Sequence, residues 1–138
     1  MKKYTQEEFD AIERDEYGIK NCPTGDYTAI KNFGAWCSFG ERCRFGERCR
    51  FGEVCSFGMR CRFGALCSFG EYCSFSERCR FGEWCRFDEE CSFGMRCRFG
   101  KRCSFGEYCS FSERCSFENE RVKNGTYFAC DRINSARS

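Results

Sequence analysis

From residue 33 to residue 117 an aromatic side chain recurs at every sixth position, from Phe33 and Phe39 through Phe111 and Phe117, fifteen times in all. A Cys stands two residues ahead of each of these Phe residues from Phe39 onward, so fourteen Cys run from Cys37 to Cys115, and Gly follows most of the Phe. The unit is Phe-Gly-x-x-Cys-x, with polar residues filling the variable positions. A period of six matches neither the 3.6-residue spacing of a helix nor the strict alternation of a long strand. It suits short strands that each turn a corner and stack on the coil before them, the repeat logic of a solenoid.

The residue between each Cys and Phe sets the number of units per coil. Every third such residue is Ser (Ser38, Ser56, Ser74, Ser92, Ser110), and the next series is Arg44, Arg62, Arg80 and Arg98 before it breaks at Ser116. The third series alternates as Arg50, Ser68, Arg86 and Ser104. A coil of three units sorts these side chains into columns, whereas pairing alternate units mixes Ser and Arg throughout. The sequence therefore predicts an all-β fold, a triangular parallel β-helix of about five 18-residue coils and roughly 24 Å of length at the usual strand spacing of about 4.8 Å. The segment 55–64 recurs at 91–100 and 67–79 recurs at 103–115, the mark of growth by two-coil units.

The ends of the rod need covers, because an open coil exposes apolar rings and unpaired backbone. Residues 1–32 read as an N-terminal cap. Thr5-Gln6-Glu7-Glu8 is a capping box that opens a short helix within 5–16, whose Phe9 and Ile12 share a face able to cover the first coil. Asn21-Cys22-Pro23-Thr24-Gly25-Asp26 reads as a turn, and Tyr27, six residues before Phe33, as a degenerate first repeat. The solenoid proper spans 33–118. Residues 119–138 form a C-terminal cap and tail, in which Asn124-Gly125 between apolar-rich arms predicts a β-hairpin.

The repeat resembles the hexapeptide repeat of left-handed parallel β-helix proteins, in which an aliphatic residue recurs with three units per coil and a small residue follows four positions later. The likeness covers about two thirds of the chain and implies a left-handed coil. It departs from that family in using Phe for the aliphatic residue and Cys for the small one. Cys two before a central Phe also resembles the right-handed pentapeptide-repeat proteins, although each side here is one residue too long. A further likeness, to Cys-Phe-Gly repeat proteins of gut bacteria and their phages, implies no activity.

Composition alters this picture at two points. Sixteen Cys in a chain of 138 residues suggest a disulfide scaffold, but Met1-Lys2-Lys3-Tyr4 leads into acidic residues with no apolar stretch, so a cytoplasmic, reducing location is expected. Strict spacing then makes the Cys small inward core residues in preference to disulfides or metal ligands. The second point is charge: 23 basic and 21 acidic groups nearly cancel, so only their distribution can matter.

That distribution supplies the candidate site. Arg42, Arg60, Arg78, Arg96 and Arg114 form an unbroken column, accompanied by Arg44, Arg62, Arg80 and Arg98, and both are expected on the face built on Phe39. The face starting at Phe33 carries Glu53, Glu71, Glu89, Glu90 and Glu107, with Trp36, Tyr72 and Tyr108 as a candidate self-association stripe. The hexapeptide resemblance implies acyl transfer with a His base, yet the chain contains no His, so no catalytic residues, no metal ligands and no cofactor are assigned. The expectation is a non-catalytic binding protein, of inhibitor or adaptor type, whose nine Arg dock on an acidic protein. The alternative is nucleic acid phosphate on the same face. No membrane partner is expected, and a homodimer is.

Overall fold

The computed structural model describes residues 1–118, and the expected C-terminal hairpin lies outside the described residues. Helix α1 (Gln6–Ala11) is followed by strands β1 (Lys20–Cys22), β2 (Asn32–Gly34) and β3 (Cys37–Phe39), then by two-residue strands from Arg44–Phe45 to Ser116–Phe117, each ending on a repeat Phe. All sixteen strands fall into three parallel sheets of six, five and five strands, one sheet per side of a triangular prism. Pairing advances by one coil at a time, as Ser38 with Ser56, Arg44 with Arg62 and Arg50 with Ser68. The coil is thus the three-unit coil that the columns predict. Among the described residues no helix is long and apolar enough to cross a membrane.

Phe suits the interior because its ring can satisfy two neighbours at once. Within a column the rings stack, as Phe57 on Phe75 at 4.8 Å and 3°, while rings of adjacent columns meet edge to face, as Phe57 and Phe63 at 5.1 Å and 83°. Both arrangements are the ones the ring quadrupole favours. The Cys take the remaining space near the corners, where a larger side chain would collide with the rings. Each is buried, and from Cys43 onward the Sγ donates to a carbonyl of the preceding coil, as Cys73 to Gly52 O, Cys79 to Gly58 O and Cys85 to Gly64 O, all at 3.4 Å.

The N-terminal cap extends the same columns. Thr5 Oγ accepts from the Glu8 amide at 3.1 Å and the Glu8 carboxylate accepts from the Thr5 amide at 2.9 Å, which is the expected capping box. This fixes α1 so that buried Phe9 lies parallel to Phe39 at 6.4 Å and edge-on to Phe33 at 5.1 Å. Tyr27 occupies a repeat position, stacked between Tyr4 at 4.7 Å and Phe45 at 5.7 Å, and its hydroxyl donates to Pro23 O. Residues 20–22 form a strand whose Asn21 and Cys22 fall where the sequence suggested the start of a turn, because Lys20, Asn21 and Cys22 pair with Cys37, Ser38 and Phe39. The buried Lys20 ammonium donates to Phe9 O at 2.9 Å, satisfying a carbonyl at the end of α1.

Candidate functional site

Each corner of the prism is a two-residue turn whose second residue has positive φ. This residue always immediately precedes the Cys, and it is never Gly: φ lies between 55° and 65° at Trp36, Arg42, Arg48, Val54 and onward to Tyr108 and Arg114. A side chain held in this left-handed conformation leaves the corner outward, and stacking the corners turns fourteen such residues into three ridges along the rod. One ridge is Arg42, Arg60, Arg78, Arg96 and Arg114. Another is Trp36, Val54, Tyr72, Glu90 and Tyr108, and the third is Arg48, Leu66, Trp84 and Arg102.

This geometry corrects one expectation. The two Arg series do not share a flat face: Arg42 and its equivalents crown a corner, whereas Arg44, Arg62, Arg80 and Arg98 open the strands of the next side. They nevertheless meet. Arg60, Arg62, Arg78, Arg80, Arg96, Arg98 and Arg114, with Ser116, line one open groove of about 460 Å³. All nine Arg are exposed, and among the described residues none makes an ion pair with a carboxylate. Rings in this column repeat at 4.7–5.0 Å along the rod. Two guanidinium groups per step of about 4.8 Å give one positive charge per about 2.4 Å, close to the one negative charge per about 1.7 Å of duplex DNA.

The basic surface reaches beyond the expected nine residues. Across the same side of the prism stand Arg48 and Arg102, and the Arg102 guanidinium lies 5.4 Å from the exposed Trp84 ring. Arg50 and Arg86 follow on the next strands. The sequence signal for them was present but weaker, because Arg50 and Arg86 alternate with Ser68 and Ser104 at a two-coil period, and Leu66 and Trp84 separate Arg48 from Arg102. Trp36, Tyr72 and Tyr108 lie on a different ridge, away from the Arg groove, with the acidic Glu53, Glu71, Glu89 and Glu107 beside them in the same turns.

The thiols point the other way. Burial among rings, together with the thiol of Cys109 one coil away, holds Cys91 at about 12, with the Cys109 contact the larger cause. The Cys103 and Cys67 thiols raise Cys85 in the same manner, and stacked Cys61 and Cys97 raise Cys79. Thiols held up in this way, Cys79, Cys85 and Cys91, are poor nucleophiles and poor metal ligands at neutral pH.

Six overlapping stretches of the repeat, at residues 31–46, 43–58, 54–70, 60–76, 90–106 and 97–112, match the family described as RNA-binding, Nab2-type zinc finger. No characterised protein sequence and no solved structure matches the chain. The family's metal set is three Cys and one His, the closed tetrahedral set of a structural zinc site. The matched stretches hold two or three Cys each and no His. Successive Cys also belong to three different corners of the prism, and among the described residues no group of three His, Cys, Asp or Glu converges on a metal position. The residues present therefore do not fit the family's zinc. Half of the chain lies within the matched stretches, and the chain accordingly belongs to the family described as RNA-binding, Nab2-type zinc finger, as a member with the Cys spacing and without the His.

Proposed function

We propose that this chain is a non-catalytic nucleic-acid-binding protein of a reducing, cytoplasmic compartment, which takes a phosphate backbone along the groove between its two Arg columns. The observation that carries this reading is the groove itself: seven exposed guanidinium groups at fixed pitch with no carboxylate partner among the described residues. Stacked like charges repel at this spacing, and a polyanion relieves that repulsion. Because a corner or a strand holds the backbone of each Arg, little backbone ordering cost opposes binding, and each planar guanidinium can donate to a phosphate in a bidentate way. The description of the matched family as RNA-binding supports the same reading.

A second reading keeps the groove and changes the partner to an acidic protein surface, as for an inhibitor or adaptor. It is favoured by Met59 and Met95, partly exposed beside Arg60 and Arg96, since apolar anchors strengthen protein interfaces more than phosphate contacts. Salt dependence separates the two. For nucleic acid, log affinity falls with log salt by about 0.7 to 0.9 per phosphate neutralised. Titrating the chain and an Arg62→Gln/Arg80→Gln variant with labelled RNA and DNA strands of equal length should show the variant's slope reduced by about two. A variant that binds as tightly with the same slope overturns the proposal. Binding that depends on Met59 and Met95 and is not displaced by nucleic acid supports the protein partner instead.

A further inference from the structure

The side of the prism that contains β1 and β3 is the longest of the three, with six strands, and it is bounded by opposite charges. Along one edge run Glu53, Glu71, Glu89 and Glu107. Along the other run Arg60, Arg78, Arg96 and Arg114, seven residues later in each coil, with Glu77 and Glu113 in the turns of the second and fourth. All eight are exposed, yet among the described residues none of them reaches a carboxylate or a guanidinium of the other edge, because the full width of the side separates them. Between the edges lies a row of small residues, Ser38, Ser56, Ser74, Ser92 and Ser110, in direct register, with Ser56 Oγ donating to Ser38 Oγ at 3.2 Å. A shallow groove of about 180 Å³ lies beside this row, lined in part by Trp36, Val54 and Tyr72.

We infer that this side is a homodimer interface, in which two copies pack Ser row to Ser row as parallel rods related by a twofold axis running along the rods. Symmetry and charge select this arrangement. A twofold axis along the rods keeps every coil at the height of its counterpart and sets the acidic edge of each copy against the basic edge of the other. A twofold axis across the rods would set Glu on Glu and Arg on Arg. In the parallel arrangement each coil pairs in step: Glu53 with Arg60 of the second copy, Glu71 with Arg78, Glu89 with Arg96 and Glu107 with Arg114. Each pair forms twice. Trp36, which has no Glu beside it, faces Arg42 of the second copy, a cation–π partner, and Met59 of the second copy comes to the groove beside Val54.

The area is sufficient for a specific but reversible dimer. A side of six residues is at most about 20 Å wide and five coils are about 24 Å long. Two such faces bury roughly 1,000 Å², the lower bound for a biological interface. The dimer leaves the sides that carry Arg44, Arg62, Arg80 and Arg98 open, one on each flank, but it engages Arg60, Arg78, Arg96 and Arg114 of the groove, so a phosphate backbone in the groove competes with dimerisation for that column.

Sedimentation equilibrium of the full chain under reducing conditions, without nucleic acid, tests it. The parent should dimerise and weaken with added salt. Arg60→Glu/Arg78→Glu and Glu53→Arg/Glu71→Arg should each weaken self-association at least about tenfold, since each sets like charges together on both flanks of the pair. Circular dichroism should be unchanged in both. Mixing the two variants should restore a heterodimer, because one then presents acid on both edges and the other base on both. A parent that stays monomeric up to about 0.5 mM overturns the inference, as does a dimer indifferent to either double reversal or a mixture that fails to pair.

Discussion

Gly58 sits so close to Glu41 of the preceding coil that a Cβ added to it would meet the Glu41 amide nitrogen at 2.6 Å and the Glu41 Cα at 2.8 Å. The φ of Gly58 is not positive, so its role is room rather than backbone freedom. The same approach recurs up the rod, with Gly64 against Glu47 and Gly82 against Ala65. It is what lets three corners per coil stack at the pitch set by the strand ladders.

Gly58→Val should therefore destabilise the rod by about 1–3 kcal/mol, the usual cost of overpacking against backbone that cannot yield. Gly58→Ala should cost less. Ser76, Asp88 and Ser112 occupy equivalent positions, and their amides still donate to the coil before at 3.0 Å, so a small Cβ is absorbed by a slight shift. Urea midpoints at unchanged m value give the comparison. Equal stability of the Val variant and the parent would show that the corners have slack.

The positive-φ residue supplies a change of opposite sign. Val54 holds φ of 55°, a region that a β-branched side chain enters at a cost, whereas Asn tolerates it. Val54→Asn should raise stability by about 1 kcal/mol, less whatever packing the half-buried Val supplies. Thermal or urea unfolding under reducing conditions reads it directly, and a destabilised variant would mean that Val packing outweighs the backbone strain.

These two positions explain how far the sequence could be read. The period of six, the three-unit coil and the inward Phe and Cys were legible because every repeat restates them, and a slip would put Phe outside. The corners were not. Gly, the residue that ordinarily marks positive φ, stands two places earlier for a different reason, so Arg42 and its column seemed to share a face with Arg44. Strand β1 was hidden by Pro23 and Gly25, which read as a turn, while its pairing with Cys37–Phe39 depends on the α1 cap above it. The register is the same for a coil of either hand, so handedness came only from resemblance. Of the candidate site, the nine Arg were visible as columns, but that seven of them converge on one groove depends on the corner geometry.

The thiols predict an alkaline limit to stability. Unfolded Cys ionises near 9, whereas Cys91 is held at about 12 by the neighbouring Cys109 thiol and by burial. A folded value raised above the unfolded one leaves stability intact below pH 9 and removes it as pH climbs from 9 toward 12, by up to about 1.4 kcal/mol per pH unit for each such thiol. In a Cys130→Ser background the melting temperature should fall over that window, and a disulfide-exchange reagent at pH 7 should label the buried thiols only as the protein unfolds. Rapid labelling of the folded protein at pH 7 would refute their burial.

Metal removal tests the disagreement between this chain and its family. A structural zinc finger draws its folding free energy from the ion, and without it the chain unfolds. Here the ring columns, the strand ladders and the Sγ–carbonyl contacts hold the coil with no four-ligand set among the described residues, so folding should be indifferent to zinc. Excess chelator should leave the circular dichroism spectrum and the urea midpoint unchanged, and RNA binding through the Arg groove should keep its affinity and salt slope. A chelator-induced loss of β structure, reversed by zinc and not by magnesium, would show that Cys from different corners do gather on an ion, and would return the chain to the metal chemistry of its relatives.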